Sequence, residues 1–264
     1  RMLEQLTPAQ QKFFAKLLSH PLLTVFKEEK DQKITREIAS LLHRVATLLV
    51  QFTQYPLASR ILLSLQQRQK QLEEAKDPYS QRLAKVLERK LDPGVQKFLL
   101  ADLHSEDSFR HQNAVLLLGS LGRAAIPLLL EAVKKTEDLR VRTLAASLLA
   151  KAGNDGVTLL KKEAVLGGAA EERARILDVI EGVTRDLKVE LAQTLGDENP
   201  KVRQAAFRLL ERLNDTQAVE LLLERAEGND PRLAVESIEC LGKLKPSGAV
   251  GRLRVPHKKA GDRD

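Results

Sequence analysis

Between Asp107 and Leu244 the chain repeats itself every 30 to 31 residues. A period of that length is typical of helical hairpins that stack, because a single hairpin cannot bury its own apolar stripe. Each copy opens with a residue placed to cap a helix, and four of the five can accept hydrogen bonds from the N–H groups of the first turn. These cap positions are Asp107, Asp138, Ala169, Asn199 and Asp230. The repeat therefore predicts an all-α fold, an α-solenoid.

Apolar residues recur at the same places in every copy. An aliphatic pair lies ten and eleven residues after each cap in most copies, and another apolar residue follows three positions later, which is helical spacing on one face. The second members of these pairs form a column, which we predict is buried: Leu118, Leu149, Ile180, Leu210 and Leu241. First helices should start near residues 78, 108, 139, 170, 200 and 231. Second helices should start near residues 126, 157, 187, 219 and 250, after breaks of small residues.

The chain divides into three parts. Residues 77–250 hold the helical hairpins, about six in number when a weaker copy at 77–106 is included. Residues 1–76 form an N-terminal helical region: a short helix opens at Thr7-Pro8 and ends before Pro21, and two long amphipathic helices follow as an oversized hairpin. This hairpin is expected to cap the solenoid by covering the core of the first repeat. Residues 251–264 are a basic C-terminal tail.

Several segments carry a family resemblance. The segments VRQAAFRLLERL, NAVLLLGSLGRAAIPLLLEAV and DPRLAVESIECLGKL resemble bacterial HEAT-type repeats, of the short kind also found in phycobilisome bilin lyases (PBS-lyase-like). The resemblance covers residues 107–250 well and residues 77–106 loosely. It implies an α-solenoid, and it does not imply one function. This repeat class includes scaffolds, inhibitors, chaperones, bilin lyases and a few metal-dependent or DNA-repair enzymes.

The net charge of +7 is unevenly distributed. Residues 1–104 carry 17 basic and 11 acidic side chains, residues 105–250 carry 21 and 23, and residues 251–264 carry 5 and 2. Binding of nucleic acid requires an uninterrupted basic track, with aromatic platforms for single strands. The repeats are nearly neutral and alternate in sign, and aromatic residues make up only 3% of the chain. Nucleic acid is therefore disfavoured as a partner of the repeats.

Residues capable of chemistry form no catalytic pattern. His104 and His111 flank Glu106 and Asp107, but this spacing is loose for a metal site. The His-Glu dipeptides that HEAT-type deoxyhypusine hydroxylases place around iron are missing. Cys240, the single cysteine, falls in an otherwise aliphatic column, and we predict a buried thiol with a raised pKa. The sequence predicts no enzyme activity and no cofactor.

The fourth position after the cap is basic in four successive copies: His111, Arg142, Arg173 and Arg203. We interpret this column as a structural ladder that contacts carboxylates around the turns. The carboxylates expected to take part are Glu137, Asp138, Glu171, Asp197 and Glu198.

The function indicated is a non-catalytic protein-protein interaction scaffold or adaptor. Second helices line the groove in many solenoids, so charged residues on those helices are the predicted contacts with a protein partner: Glu131, Lys134, Lys135, Lys161, Lys162, Lys188, Glu220 and Glu224. Two alternatives stay open, a lyase-like or other HEAT-fold enzyme, and binding of nucleic acid or an anionic surface through the basic N-terminal region and tail. The start of the chain shows no membrane span or signal-peptide pattern, and the cytoplasm is the default expectation.

Overall fold

The structure is a computed structural model that describes residues 5–89 and 91–244. These residues form α-helices joined by short turns, with no β-strand among them. The α-helices are α1 (Pro8–Glu28), α2 (Gln32–Gln51), α3 (Tyr55–Glu74), α4 (Tyr79–Leu87), α5 (Pro93–Leu103), α6 (Ser108–Leu121), α7 (Ile126–Lys135), α8 (Leu139–Lys151), α9 (Asn154–Leu166), α10 (Ala170–Leu177), α11 (Lys188–Leu195), α12 (Pro200–Leu213), α13 (Thr216–Ala226) and α14 (Pro231–Leu244). The fold is an all-α solenoid.

The helix starts agree with the sequence prediction. First helices begin within one residue of the predicted positions, and second helices begin within three. The cap side chains of Asp107, Asn199 and Asp230 each accept a hydrogen bond of 2.9 Å from the backbone N–H two residues later. The predicted apolar column is 0–3% exposed at all five positions. The second helix expected near residue 250 and the tail at 251–264 lie outside the described residues.

The chain divides into two compact units. The first comprises Arg1–Ala132 with Ser147–Gly156, and the second comprises Val133–Ala146 with Val157–Asp264. The chain passes between the units at three points, which fall within α7, α8 and α9. The boundary predicted between residues 76 and 77 stays a prediction.

In the first unit, α2 and α3 pack against each other as the expected hairpin, and α3 also packs against α4 and α6. Because α6 is the first helix of the first clear repeat, α3 lies where a preceding repeat would lie. Leu42 of α2 and Leu65 of α3 are fully buried in this packing. His43 is also buried, and its burial, together with the charge of Arg89, lowers the pKa of its imidazole to about 4.

The prediction that the first helix ends before Pro21 is wrong, because α1 continues through this proline to Glu28. Proline removes one N–H group from a helix interior. Pro21 is exposed, so water can solvate the carbonyl group left without a helical partner. On the opposite side, Ala15, Leu23 and Phe26 keep helical spacing across the proline and are at most 7% exposed. Packing of this side against α2 outweighs the local penalty.

In the second unit, α12 packs against α10 and α11, and α14 packs against α12 and α13. One first helix is shorter than predicted, because α10 ends at Leu177 and a 3₁₀ turn at Ile180–Gly182 follows. Arg212 of α12 donates through Nη2 to the carbonyl oxygens of Leu177 (3.1 Å) and Asp178 (3.3 Å). The neighbouring repeat thus satisfies backbone groups that the broken helix leaves open.

The stretch Ser108–Lys135 is long and apolar enough to cross a membrane by length and composition alone. It comprises α6 and α7, which are separated by a 3₁₀ turn containing Gly122 at φ 56°. Half of its apolar window is buried inside the protein. Core helices of a repeat fold have this composition, so the stretch is weak evidence for a membrane span.

Candidate functional site

The predicted partner-binding residues lie on second helices, and all except Glu131 belong to the second unit. In this unit the second helices form one layer. Lys161 Nζ on α9 lies 3.3 Å from Glu190 Oε1 on α11. Arg225 Nη2 on α13 donates to the carbonyl oxygen of Ala192 on α11 at 3.2 Å. The candidates of the second unit therefore belong to neighbouring helices, and their contact with a partner stays a prediction.

Lys134 and Lys161 are candidates that form ion pairs with neighbouring elements. Lys134 Nζ lies 2.8 Å from Glu163 Oε2 and 2.9 Å from Glu172 Oε2. Hydrogen bonds to Glu163 and then Glu172 raise the pKa of the Lys134 ammonium group. Lys161 Nζ lies 3.3 Å from an oxygen of Asp186, in addition to its contact with α11. These two lysines tie neighbouring repeats together.

Other candidates are exposed. Lys162, Lys188, Glu220 and Glu224 are all exposed, and none of them forms an ion pair within residues 5–89 and 91–244. Their charge changes from basic on α9 and α11 to acidic on α13. Val189, next to Lys188, is 66% exposed. We call these five residues the second-helix surface. Lys135 is also exposed.

The basic column stabilises turns through backbone carbonyl groups. In Arg142, Arg173 and Arg203, Nη1 donates to the carbonyl oxygens five and six residues earlier, at 3.0–3.2 Å. His111 Nδ1 lies 2.9 Å from the carbonyl oxygen of Leu103. The ladder exists as predicted, but its common partners are carbonyl groups of the turns rather than the expected carboxylates. The sequence pattern does not identify these carbonyl partners. Every residue has a carbonyl group, so residue types do not show which ones accept the hydrogen bonds.

Carboxylates supply a second contact between repeats. Arg173 Nη2 lies 2.9 Å from Asp197 Oδ2, and both side chains are 16% exposed. Arg203 Nε lies 3.3 Å from Glu236 Oε2 on α14. Of the expected carboxylates, Asp197 is the one that pairs with this column in the described ion pairs. Glu137 and Glu171 pair instead with other basic residues, Arg175 and Lys201, and the Asp138 side chain caps α8.

The histidine cluster is occupied by contacts within the fold. His104 Nδ1 lies 2.7 Å from the carbonyl oxygen of Leu100, and Asp107 caps α6. Within the described residues, no group of three or more His, Cys, Asp or Glu side chains could hold a metal ion. Cys240 is 2% exposed, and burial, followed by the charge of Glu211, raises the pKa of its thiol to about 11. The predicted burial of this thiol is confirmed, and its weak reactivity stays a prediction.

A cleft of about 500 Å³ lies in the first unit, lined by α3, α4 and the turn after α6. Lys70 and Glu73 of α3 line it, together with Glu88 and Arg123. Arg123 Nη2 lies 3.1 Å from Asp155 Oδ2, and its Nη1 lies 3.8 Å from Glu88 Oε1. Because cations and carboxylates alternate around it, the cleft presents no charge of one sign to select an ionic ligand. The sequence does not predict this cleft.

Comparison with known proteins identifies the repeats. The family described as HEAT repeats matches residues 189–254. Two engineered proteins of known crystal structure share 18% sequence identity with the chain at a TM-score of 0.29. The first match covers 89% of this chain and 80% of the other, and the second covers 86% and 96%. No curated protein matches the sequence. Residues 189–254 are therefore similar to HEAT repeats, in agreement with the helical hairpins of the fold.

Proposed function

We propose that the protein is a non-catalytic protein-interaction scaffold and that its second-helix surface holds a segment of a partner protein. The supporting observation is the contrast between neighbouring lysines on α9. Lys161 is ion-paired within the chain, whereas Lys162 is exposed and has no ion pair among the described residues. Lys161 contributes to packing between repeats, and Lys162 is available to a partner.

The charges define the chemistry of that partner. Acidic side chains would lie opposite Lys162 and Lys188, and basic side chains would lie opposite Glu220 and Glu224. Such complementarity raises the association rate and rejects unsuitable partners more than it raises affinity. Exposed Val189 supplies apolar area whose burial favours the bound state. The change of sign between α11 and α13 disfavours a phosphate backbone, which requires a continuous basic track.

The test is affinity capture from native extract with the wild type and with the variant Lys162→Glu/Lys188→Glu. The expected result is that a protein captured by the wild type is retained at least about tenfold less by the variant, because two attractive contacts become repulsive. Both residues are exposed, so helical content and Tm should be unchanged.

A matched control is Lys85→Glu/Lys97→Glu, which makes the same change in net charge at exposed positions of α4 and α5. This control should retain the captured protein as the wild type does. Equal retention by the Lys162→Glu/Lys188→Glu variant would remove the second-helix surface as the binding site. Equal loss in both variants would show a general effect of net charge and would also overturn the proposal.

A further inference from the structure

Helix α1 exposes apolar residues on the side that faces away from its packing partners. Ala15 and Ser19 lie on its buried side. Leu17 is two positions from each, which is about 200° around a helix of 3.6 residues per turn. Leu17 is 55% exposed, and Phe13, one turn earlier, is 62% exposed. Val25 continues this stripe two turns later at 47% exposure.

A basic stripe runs beside the apolar one. Lys12 and Lys16 are exposed and each lies next to a member of the apolar stripe, and His20, one turn after Lys16, is also exposed. Acidic residues are absent from α1 until Glu28, its last residue. The first three turns of α1 therefore present apolar and basic groups together, without acidic side chains of their own to neutralise them.

We propose that α1 docks onto an anionic phospholipid surface, with Phe13 and Leu17 entering the interface and Lys12 and Lys16 contacting the phosphate groups. Aromatic rings favour the headgroup level of a bilayer, and lysine side chains extend from an apolar stem towards anionic headgroups. Lysines near an anionic leaflet are attracted through its surface potential. Helices that lie in the interface combine these same two contributions. This inference goes beyond the proposed binding of a protein segment.

The charges of α1 indicate which of the possible binding partners fits its exposed side. A second copy of the chain would bring the same basic stripe, and the like charges would repel. An acidic protein would also attract the lysines. However, the two charges on the first three turns of α1, Lys12 and Lys16, are both positive, exposed and one helical turn apart, which matches a surface of uniform charge. The second-helix surface differs because it carries both signs and fits discrete partner residues.

The lipid test is co-sedimentation of the whole chain with vesicles. Vesicles of phosphatidylcholine with about 30% phosphatidylserine should retain the protein in about 0.1 M NaCl, and pure phosphatidylcholine vesicles should not. The variants Lys12→Glu/Lys16→Glu and Phe13→Ser/Leu17→Ser should each lower the bound fraction at least about fivefold. The controls Lys85→Glu/Lys97→Glu and Phe98→Ser/Phe109→Ser change equally exposed residues of other helices and should bind as the wild type does.

Fluorescence gives an independent readout, because the chain contains no Trp. The emission of the variant Phe13→Trp should shift to the blue when anionic vesicles are added, and that of the matched variant Phe98→Trp should not. The proposal is overturned if anionic vesicles fail to bind the wild type, or if neutral and anionic vesicles bind it equally. It is also overturned if the α1 variants lose an acidic protein partner while vesicles bind neither wild type nor variants.

Discussion

The two compact units hold their helices together in different ways. In the first unit, the long helices α2 and α3 bury aliphatic side chains completely, and Arg123 forms its ion pairs with a side chain that is 61% exposed. In the second unit, shorter helices are tied by guanidinium groups such as that of Arg173, which is only 16% exposed. Short helices offer less apolar contact area, so the register between repeats depends more on partly buried charged contacts.

The two units also differ in the surfaces that they leave exposed. The first unit presents the apolar and basic stripes of α1, and the second presents the mixed charges of the second-helix surface. Lys134 and Lys161 form ion pairs between repeats, whereas Lys162 and Lys188 are exposed to solvent. A charge on a repeat is therefore informative about binding only after the contacts between repeats are known.

The largest loss of stability is expected from truncating a buried leucine, a core feature that the two units share. Leu65→Ala in the first unit and Leu210→Ala in the second should each lower the free energy of unfolding by about 2–5 kcal/mol, because both side chains are fully buried and leave a cavity. Chemical denaturation measures the effect. Leu139→Ala, at a position that is 53% exposed, is the control and should cost far less. A small effect at Leu210 would mean that the ladder, rather than the core, holds the second unit.

Acid should destabilise the first unit through its buried histidine, His43. The imidazole of His43 has a pKa of about 4 in the fold and 6.5 as its ordinary value. The unfolded chain therefore binds a proton at a higher pH than the folded chain does, so the contribution of this group to stability is greatest above pH 6.5. This contribution should fall by on the order of 3 kcal/mol between pH 6.5 and pH 4.

Denaturation curves across this pH window measure the loss, and His43→Leu is the comparison variant. The variant should lose less stability than the wild type on acidification, because it lacks the buried group. Identical pH dependence in the two proteins would show that His43 does not carry the effect.

Removing one guanidinium group in each unit tests whether charged contacts stabilise the second unit more than the first. Arg173→Met should cost about 2–3 kcal/mol, because it leaves Asp197 and two turn carbonyl groups without their charged donor. Arg123→Met should cost less than about 1 kcal/mol, because its pairs are exposed to water. Urea denaturation of both variants gives the two values. Equal costs would contradict the contrast between the units.

A small effect is also expected at Cys240. Cys240→Ala should cost about 1 kcal/mol, since it removes a small buried group, and it should leave partner capture unchanged. In the folded wild type, a thiol reagent at neutral pH should react slowly, because the thiol is buried and its pKa is near 11. Rapid modification of the folded protein would show that Cys240 is accessible.

Particular residues show how far the sequence prediction reaches. The starts of α6, α12 and α14 and the burial of Leu118 and Leu210 follow from caps and apolar spacing. The passage of α1 through Pro21 does not follow, because it depends on packing against α2. The end of α10 at Leu177 does not follow either, because the open carbonyl groups are satisfied from Arg212 of another helix.

For the candidate site, the sequence placed seven charges on second helices of one unit but did not separate Lys161 from Lys162. Both residues have the same chemistry and are adjacent in the chain. Only the position of α11 and of the turn before it gives Lys161 its partners Glu190 and Asp186 and leaves Lys162 exposed.

By itself, then, the sequence determined the helical hairpins, their caps and their buried columns, because these depend on interactions within a few turns of one helix. The tertiary structure decided which arginines contact turn carbonyl groups, which lysines form ion pairs between repeats and which side of α1 is left exposed. Those outcomes depend on distances between residues far apart in the chain, such as the 2.9 Å from Arg173 to Asp197, and a pattern of residue types does not contain such distances.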